Sequence, residues 1–184
     1  MNQMKSPNRT FYLAFSAILL ALLIICAQIV LPLPMIPLTL QPLGVGMIGT
    51  LLPLPWAGAT ILAYLALGAL GLPVFAGAHG GIAAFLTPSG GYLPSFFVYA
   101  VLAALFLRNR QKTWINIFVA NVCAAMIYLV LGSLWLCLPF IAGMSVKAAL
   151  IAGTLPFALP VIGEIAVYTT IATALHKVMA RRLR

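Results

Sequence analysis

The sequence is almost without acid. Of 184 residues only Glu164 is Asp or Glu, against ten Lys or Arg, and charged residues make up 6% of the chain. A soluble domain carries about a quarter charged residues and covers its surface with them. Ten plus one charges cannot do that here, which excludes a soluble globular protein, and a chain that is 64% hydrophobic is not a disordered one. The net charge of +9 invites a nucleic-acid reading. The basic residues, however, sit at the chain ends and in one loop and form no basic face, so no nucleic-acid partner is expected.

Cysteine is scarce and unpatterned. Cys26, Cys123 and Cys137 lie in apolar runs and form no CxxC or Cys/His spacing, so they read as small packing residues rather than metal ligands. The chemistry of an intramembrane enzyme is also missing. Its reactive groups would be His79, Lys147, Glu164, Cys26 and His176, yet there is no Ser/His pair, no HExxH and no pair of carboxylates. No catalytic residue and no metal site are assigned, and no Walker motif is present.

Long apolar runs are what the chain does have. A span takes about 20 residues, so the length allows roughly six or seven. Cutting at Pro, Gly and basic punctuation gives six, at about 11–31, 43–54, 56–72, 92–107, 114–138 and 145–176. The expected fold is an all-α membrane protein, a single domain over 1–184. The first run is too long for the h-region of a signal peptide and leads into further spans. The last would measure about 45 Å as one straight helix. Pro156 and Pro160 therefore predict a kink or a strong tilt there.

Orientation follows the basic residues. Lys5 and Arg9 precede the first span, Arg108, Arg110 and Lys112 follow the fourth, and Lys177, Arg181, Arg182 and Arg184 follow the sixth. Six spans put all of these, and both termini, on the cytoplasmic side of the cell membrane. Lys147 breaks the pattern, at the outer start of the sixth span with no acidic neighbour. Two readings stand: a side chain snorkelling to lipid headgroups, or a counter-ion for a small anion in a first helical turn, where the dipole favours anions. Glu164 also has two readings. It is a proton relay, or a structural carboxyl that bonds backbone freed by Pro156 and Pro160 or faces the cytoplasmic surface.

The two outer connections are not ordinary loops. Pro32–Pro42 holds four prolines, with Thr39 and Gln41 as its polar groups, and is expected to be stiff and extended. The stretch 73–91, PVFAGAHGGIAAFLTPSGG, is Gly-rich yet apolar. Irregular apolar backbone of this kind is expected to fold back into protein and line a cavity. Glycine lets backbone approach a ligand there. The bland alternative is a compact loop packed on helix ends. His79 sits at its centre, able to donate and accept, and Tyr92 opens the fourth span.

At these residues a family resemblance appears. Gly71-Leu-Pro-Val-Phe-Ala-Gly77, the pair Gly80-Gly81 and Pro88-Ser-Gly-Gly-Tyr-Leu93 closely resemble the signature of the BioY family, the biotin-specific S components of energy-coupling factor transporters. Pro37-Leu-Thr-Leu-Gln41 is similar to the family's first outer loop. Pro139-Phe-Ile-Ala-Gly-Met-Ser-Val-Lys147 resembles its last. The resemblance covers nearly the whole chain. It implies an outward pocket for biotin, the transported ligand, with no cofactor, and partners that are a transmembrane coupling protein and ATPase subunits, all within membrane lipid.

The ligand residues so implied, together with the loop reading, are Thr39, Gln41, Phe75, Gly77, His79, Gly80, Tyr92, Met144 and Lys147. The resemblance also implies docking of the coupling protein on small residues of the first span, here Ala14, Ala17 and Ala21; such residues let helices approach closely in lipid. Thr87, Ser89 and Ala142 depart mildly from the pattern. Met144 departs seriously, because it stands where the family has an Asp implicated in ligand binding, while the Lys is kept as Lys147. Methionine cannot accept an N–H as a carboxylate does. Either another group accepts, with His79 the natural candidate, or the ligand is a different small acid or vitamin.

Overall fold

The computed structural model describes residues 9–182, and side chains as far as Leu175. Lys5 and Arg184, and the side chains of His176, Lys177, Arg181 and Arg182, lie outside the described residues. The chain runs through α1 (Arg9–Gln28), β1 (Val30–Leu31), β2 (Leu38–Thr39), α2 (Gln41–Leu51) and α3 (Leu54–Ala69). Two short 3-10 turns follow, at Ala76–Ala78 and Ile82–Leu86. Then come α4 (Tyr92–Leu107), α5 (Trp114–Leu134), a 3-10 turn at Trp135–Cys137, α6 (Val146–Gly153) and α7 (Leu155–Arg182).

Among the described residues, Arg9–Gln28, Trp114–Cys137 and Val146–Leu175 are long and apolar enough to cross a membrane, and α3 and α4 are shorter apolar helices. Leu13, Ile18, Ile25, Ile115, Leu159 and Val167 are exposed on these helices, the outward apolar surface that a bundle presents to lipid.

Five of the six expected segments correspond to α1–α5. The limits of α2 and α3 shift towards the N-terminus, because proline is tolerated in a first turn, where its missing N–H has no intrahelical partner. Pro42 and Pro55 occupy such positions. The sixth segment is broken rather than kinked, with α6 and α7 meeting at Thr154 (φ −105°, ψ −51°). Pro156 disfavours helical backbone at the residue before it and offers no N–H to the turn before. Tertiary bonds close the break. Thr154 Oγ1 lies 3.0 Å from Ser133 Oγ on α5, and the Tyr92 hydroxyl donates to the Gly153 carbonyl at 2.7 Å. Pro160 lies inside α7.

α2 is the buried centre, packed against α1, α4 and α7. A Cβ on Gly49 would stand 2.7 Å from the Ala100 carbonyl oxygen and 2.9 Å from Ala103 Cβ of α4, so the contact requires glycine. Around α2, Tyr64, Tyr99, Tyr128 and Tyr168 are fully buried. Tyr99 stacks on Tyr128, centroids 5.0 Å apart, and its hydroxyl lies 2.9 Å from that of Tyr168.

Two ionisable side chains from separate parts of the chain, Lys112 and Glu164, meet the two ends of α2. Lys112, between α4 and α5, donates from Nζ to the Thr50 carbonyl at 2.7 Å, and burial lowers its pKa from the ordinary lysine value. Glu164 Oε2 accepts from Leu43 N at 3.0 Å. The carboxyl does bond backbone, but that of α2 rather than the carbonyl-rich stretch around Pro156 and Pro160. The reason is chemical: proline frees carbonyls, which only accept, whereas the accepting carboxyl oxygen needs a donor, and a helix N-terminus supplies N–H groups.

Candidate ligand-binding chamber

Both unusual connections close on one cavity of about 460 Å³, inside the range of roughly 300–1,000 Å³ for small-molecule sites. The 30–39 stretch contributes Val30, Pro32, Leu33, Ile36, Pro37, Leu38 and Thr39. The start of α2 contributes Gln41 and Pro42, and the Gly-rich loop contributes Phe75, Gly77, His79, Gly80 and Ala84 among others. Tyr92, Leu93 and Phe96 of α4, Tyr128 and Leu129 of α5, and Phe157 and Val161 of α7 complete the wall. The lining is mostly apolar with a few polar groups, the usual character of a small-molecule site.

The Pro-rich stretch is held as a tight antiparallel ribbon. Val30 pairs with Thr39 and Leu31 with Leu38. The Gly-rich loop is drawn back onto α3 by one carbonyl: Gly68 O accepts from Gly71 N at 3.0 Å and from Gly81 N at 2.7 Å. The Phe75 ring lies where a Cβ on Gly68 would be, so only glycine there lets the ring turn inward. Phe75 then meets Tyr64 and Phe85 edge to face, at 5.3 and 5.6 Å. Phe75 N bonds His79 O at 3.0 Å across two successive left-handed residues, Gly77 (φ 66°) and Ala78 (φ 60°). That conformation costs a non-glycine residue about 1–2 kcal/mol. Gln28, at the end of α1, holds it: its Oε1 accepts from Ala78 N at 2.8 Å and its Nε2 donates to Phe75 O at 3.4 Å.

Two polar side chains in the lining have orientations fixed by their partners. The Tyr64 hydroxyl donates to the Val74 carbonyl at 3.0 Å. A carbonyl only accepts, so the Tyr64 oxygen must accept from Gln41, 2.7 Å away. The Gln41 amide nitrogen therefore points at Tyr64, and its Oε1 accepts from Thr39 Oγ1 at 2.9 Å. One amide N–H and one oxygen lone pair remain. The same logic applies to His79. Its Nδ1 lies 2.8 Å from the Ala76 carbonyl, so the neutral ring carries its proton there and leaves Nε2 as an acceptor.

Seven of the expected ligand residues thus meet in one lining: Thr39, Gln41, Phe75, Gly77, His79, Gly80 and Tyr92. Tyr92 presents its ring, since its hydroxyl is taken by Gly153. Met144 and Lys147 do not line the cavity. Met144 packs half-buried against the core, its N–H bonded to Leu136 O at 3.0 Å. Lys147 is exposed in the first turn of α6, whose cap is the Ser145 side chain accepting from Ala148 N. Among the described residues it is still the one Lys or Arg at the chamber end, since Arg9 opens α1, and Arg108, Arg110 and Lys112 follow α4, on the far side. Ala14, Ala17 and Ala21 are exposed along α1, away from the cavity.

Sequence reasoning missed Gln28, Tyr64, Phe96, Tyr128, Phe157 and Val161. The pairs Tyr92/Phe96 and Phe157/Val161 are four apart and so share a helix face, but the same spacing marks any core stripe. Nothing in the local sequence of Gln28 or Tyr64 points to a loop nearly fifty or ten residues away.

The fold and chamber define a class: a multi-pass helical membrane protein with a small-molecule chamber built from the loops at one end of the bundle. The chain belongs to the BioY family, whose sequence profile matches residues 1–181. It is 35% identical over 160 residues to "Probable biotin transporter BioY" of Pyrococcus horikoshii, covering 87% of this chain and 93% of that one. It is 33% identical over 150 residues to "Biotin transporter BioY2" of Lactococcus lactis subsp. cremoris, covering 82% and 81%. A crystal structure of the S-component for biotin from an ECF-type ABC transporter superposes with a TM-score of 0.85 at 28% identity, over 96% of this chain and 95% of that one.

Proposed function

We propose that this chain captures biotin and serves as the substrate-specific subunit of an energy-coupling factor type transporter. A transmembrane coupling protein and ATPase subunits energise it, and it is itself a transport component rather than an enzyme. The carrying observation is the chamber: an apolar cavity closed by the Pro-rich and Gly-rich stretches, with a carboxamide of fixed orientation in its wall. Arg9 and the Arg108–Lys112 cluster lie at the end away from the chamber. The positive-inside rule then faces the chamber outward and places both termini in the cytoplasm.

Within the chamber, a cyclic urea offers two N–H donors and a carbonyl. The spare Gln41 N–H and lone pair match one N–H/C=O edge of it, Thr39 holding the amide in place. His79 Nε2 accepts the other N–H, replacing the acceptor that Met144 lacks. Phe75 and Tyr92 cover the apolar body, with the backbone of Gly77 and Gly80 beside them. Lys147, exposed outside the lining at the chamber end of the bundle, is among the described residues the cation nearest in the fold for the ligand carboxylate. Ala14, Ala17 and Ala21 form the face for the coupling protein. Met144 favours one second reading, an S component for another small carboxylic acid.

Thermal unfolding of the purified protein with biotin and a panel of related acids separates the two, because a ligand of the native state stabilises it by mass action. Biotin is expected to raise the melting temperature most. A larger shift from another acid, with none from biotin, would reassign the ligand.

A further inference from the structure

Glu164, the only acidic residue of the chain, has no part in the reading above. It lies on α7 one turn beyond Val161, and Phe157 and Val161 line the chamber. Its Oε2 accepts from Leu43 N, in the first turn of α2. The rest of that turn is bonded locally: Gln41 N donates to Thr39 Oγ1 at 3.3 Å, Leu43 N also reaches the Leu40 carbonyl at 3.2 Å, and Pro42 has no N–H to give, so Glu164 is the acceptor that another helix supplies. At the other end of the same helix stands a cation, Lys112, on the Thr50 carbonyl. A helix leaves N–H groups free at its N-terminus and carbonyls free at its C-terminus. The carboxyl oxygen accepts at the first end and the amine donates at the second. Eleven residues rise only about 16 Å, against a hydrocarbon core of about 30 Å. The end groups of α2 thus need protein partners, and these two side chains come from separate parts of the chain to supply them.

We propose that Glu164 is a positioning residue for the ligand, acting through α2. Gln41 is the first residue of α2 and lies in the chamber wall, two residues from the N–H that Glu164 holds. The Glu164–Leu43 bond ties this turn to α7, which forms the facing wall through Phe157 and Val161. With the bond present, the Gln41 amide stays in register with Thr39 and Tyr64. Without it, the first turn of α2 is free to shift against α7, and the carboxamide loses its fixed presentation. The proposal rests on the chamber being the ligand site, but the clamp itself does not.

The test uses the full chain in detergent, with biotin as the probe. Glu164→Leu removes the acceptor; Glu164→Gln keeps one. Without ligand, hydrogen exchange at the Leu43 amide is expected to speed up in the Leu variant and to stay slow in the Gln variant. With biotin, Glu164→Leu is expected to weaken binding roughly tenfold, the scale of one badly paired polar group, and Glu164→Gln to restore most of it. Adding Glu164→Leu to Gln41→Ala is expected to weaken binding no further, since both act through one carboxamide. Lys112→Met, at the far end of α2, is the control: it is expected to lower the melting temperature and leave biotin affinity within about twofold.

Several outcomes would overturn the proposal. They are unchanged exchange at Leu43, losses that multiply in the double variant, or a tenfold loss from Lys112→Met, which would make any loosening of α2 sufficient. If Glu164→Leu yields no folded protein, Glu164→Ala and the Gln variant carry the same comparison. Failure of the wild type to bind biotin would overturn the ligand reading alone, and the exchange data decide the clamp on their own.

Discussion

α1 and α2 are both apolar helices without an acidic residue, yet they occupy opposite places. α1 buries five of its twenty residues, whereas α2 buries ten of its eleven. Hydrophobicity does not separate them, because lipid accepts an apolar face as readily as a protein core does. What separates them is side-chain size and length. Three glycines, Gly44, Gly46 and Gly49, let neighbours close on α2 from three sides, and its short length leaves its ends to be finished by Lys112 and Glu164. α1 keeps a broad outward face that includes Ala14, Ala17 and Ala21. The chamber follows the same division, since its wall takes residues from α2, α4, α5 and α7 and none from α1.

That contrast breaks most sharply under added bulk. Gly49→Val drives a branched side chain into the Ala100 carbonyl and Ala103, and overpacking of this kind costs about 1–3 kcal/mol or more. We expect the largest fall in melting temperature for this variant. Ala21→Leu on the exposed face of α1 is expected to stay within about 0.5 kcal/mol of wild type. Equal losses from the two substitutions, read by thermal unfolding in detergent, would remove the distinction between the helices.

Smaller effects are expected at the chamber itself. His79→Ala removes the acceptor at Nε2, and leaving a ligand N–H unpaired costs about 1–3 kcal/mol. Biotin affinity is therefore expected to drop by about tenfold or more, and Met144→Asp to restore part of it in the same protein. Titration of wild type, both single variants and the double decides this. Unchanged affinity in His79→Ala would return that residue to a structural role in the loop.

Lys147 is exposed, so water screens any pairing it makes. Lys147→Ala is expected to weaken biotin by about fivefold or less, and biotin amide not at all. Identical losses for acid and amide would exclude a charge pair.

The smallest effect on the isolated protein is expected on α1. Ala17→Trp and Ala21→Trp should leave detergent-solubilised biotin binding as in wild type and abolish uptake in cells. A parallel loss of binding would mean that this face packs within the chain.

Much of this arrangement was legible before the structure. The six apolar segments, the Pro-rich and Gly-rich connections and seven of the chamber residues follow from patterns local in sequence. A run of apolar residues forms a helix wherever it lands, and a loop rich in proline or glycine announces its own geometry. The break at Thr154 was half legible: Pro156 fixed where the sixth segment weakens, but only Ser133 and Tyr92, contributed by other helices, turned that weakness into an ordered joint. Glu164 was legible as an anomaly and not as a cap, because its partner Leu43 lies 121 residues away.

The sequence by itself determined that this chain lives in a membrane, where its apolar segments lie and which two connections are stiff or Gly-rich, since these depend on side-chain hydropathy and backbone freedom residue by residue. Tertiary structure alone decided that α2 is the buried axis and α1 the outer wall, that the Gln41 carboxamide and the His79 ring have fixed hydrogen-bonding faces, and that Lys147 stands outside the chamber. Those outcomes depend on which donor meets which acceptor across separate helices. The backbone groups at the ends of α2 had to find partners without bulk water, and only the packed bundle could bring Glu164 and Lys112 to them.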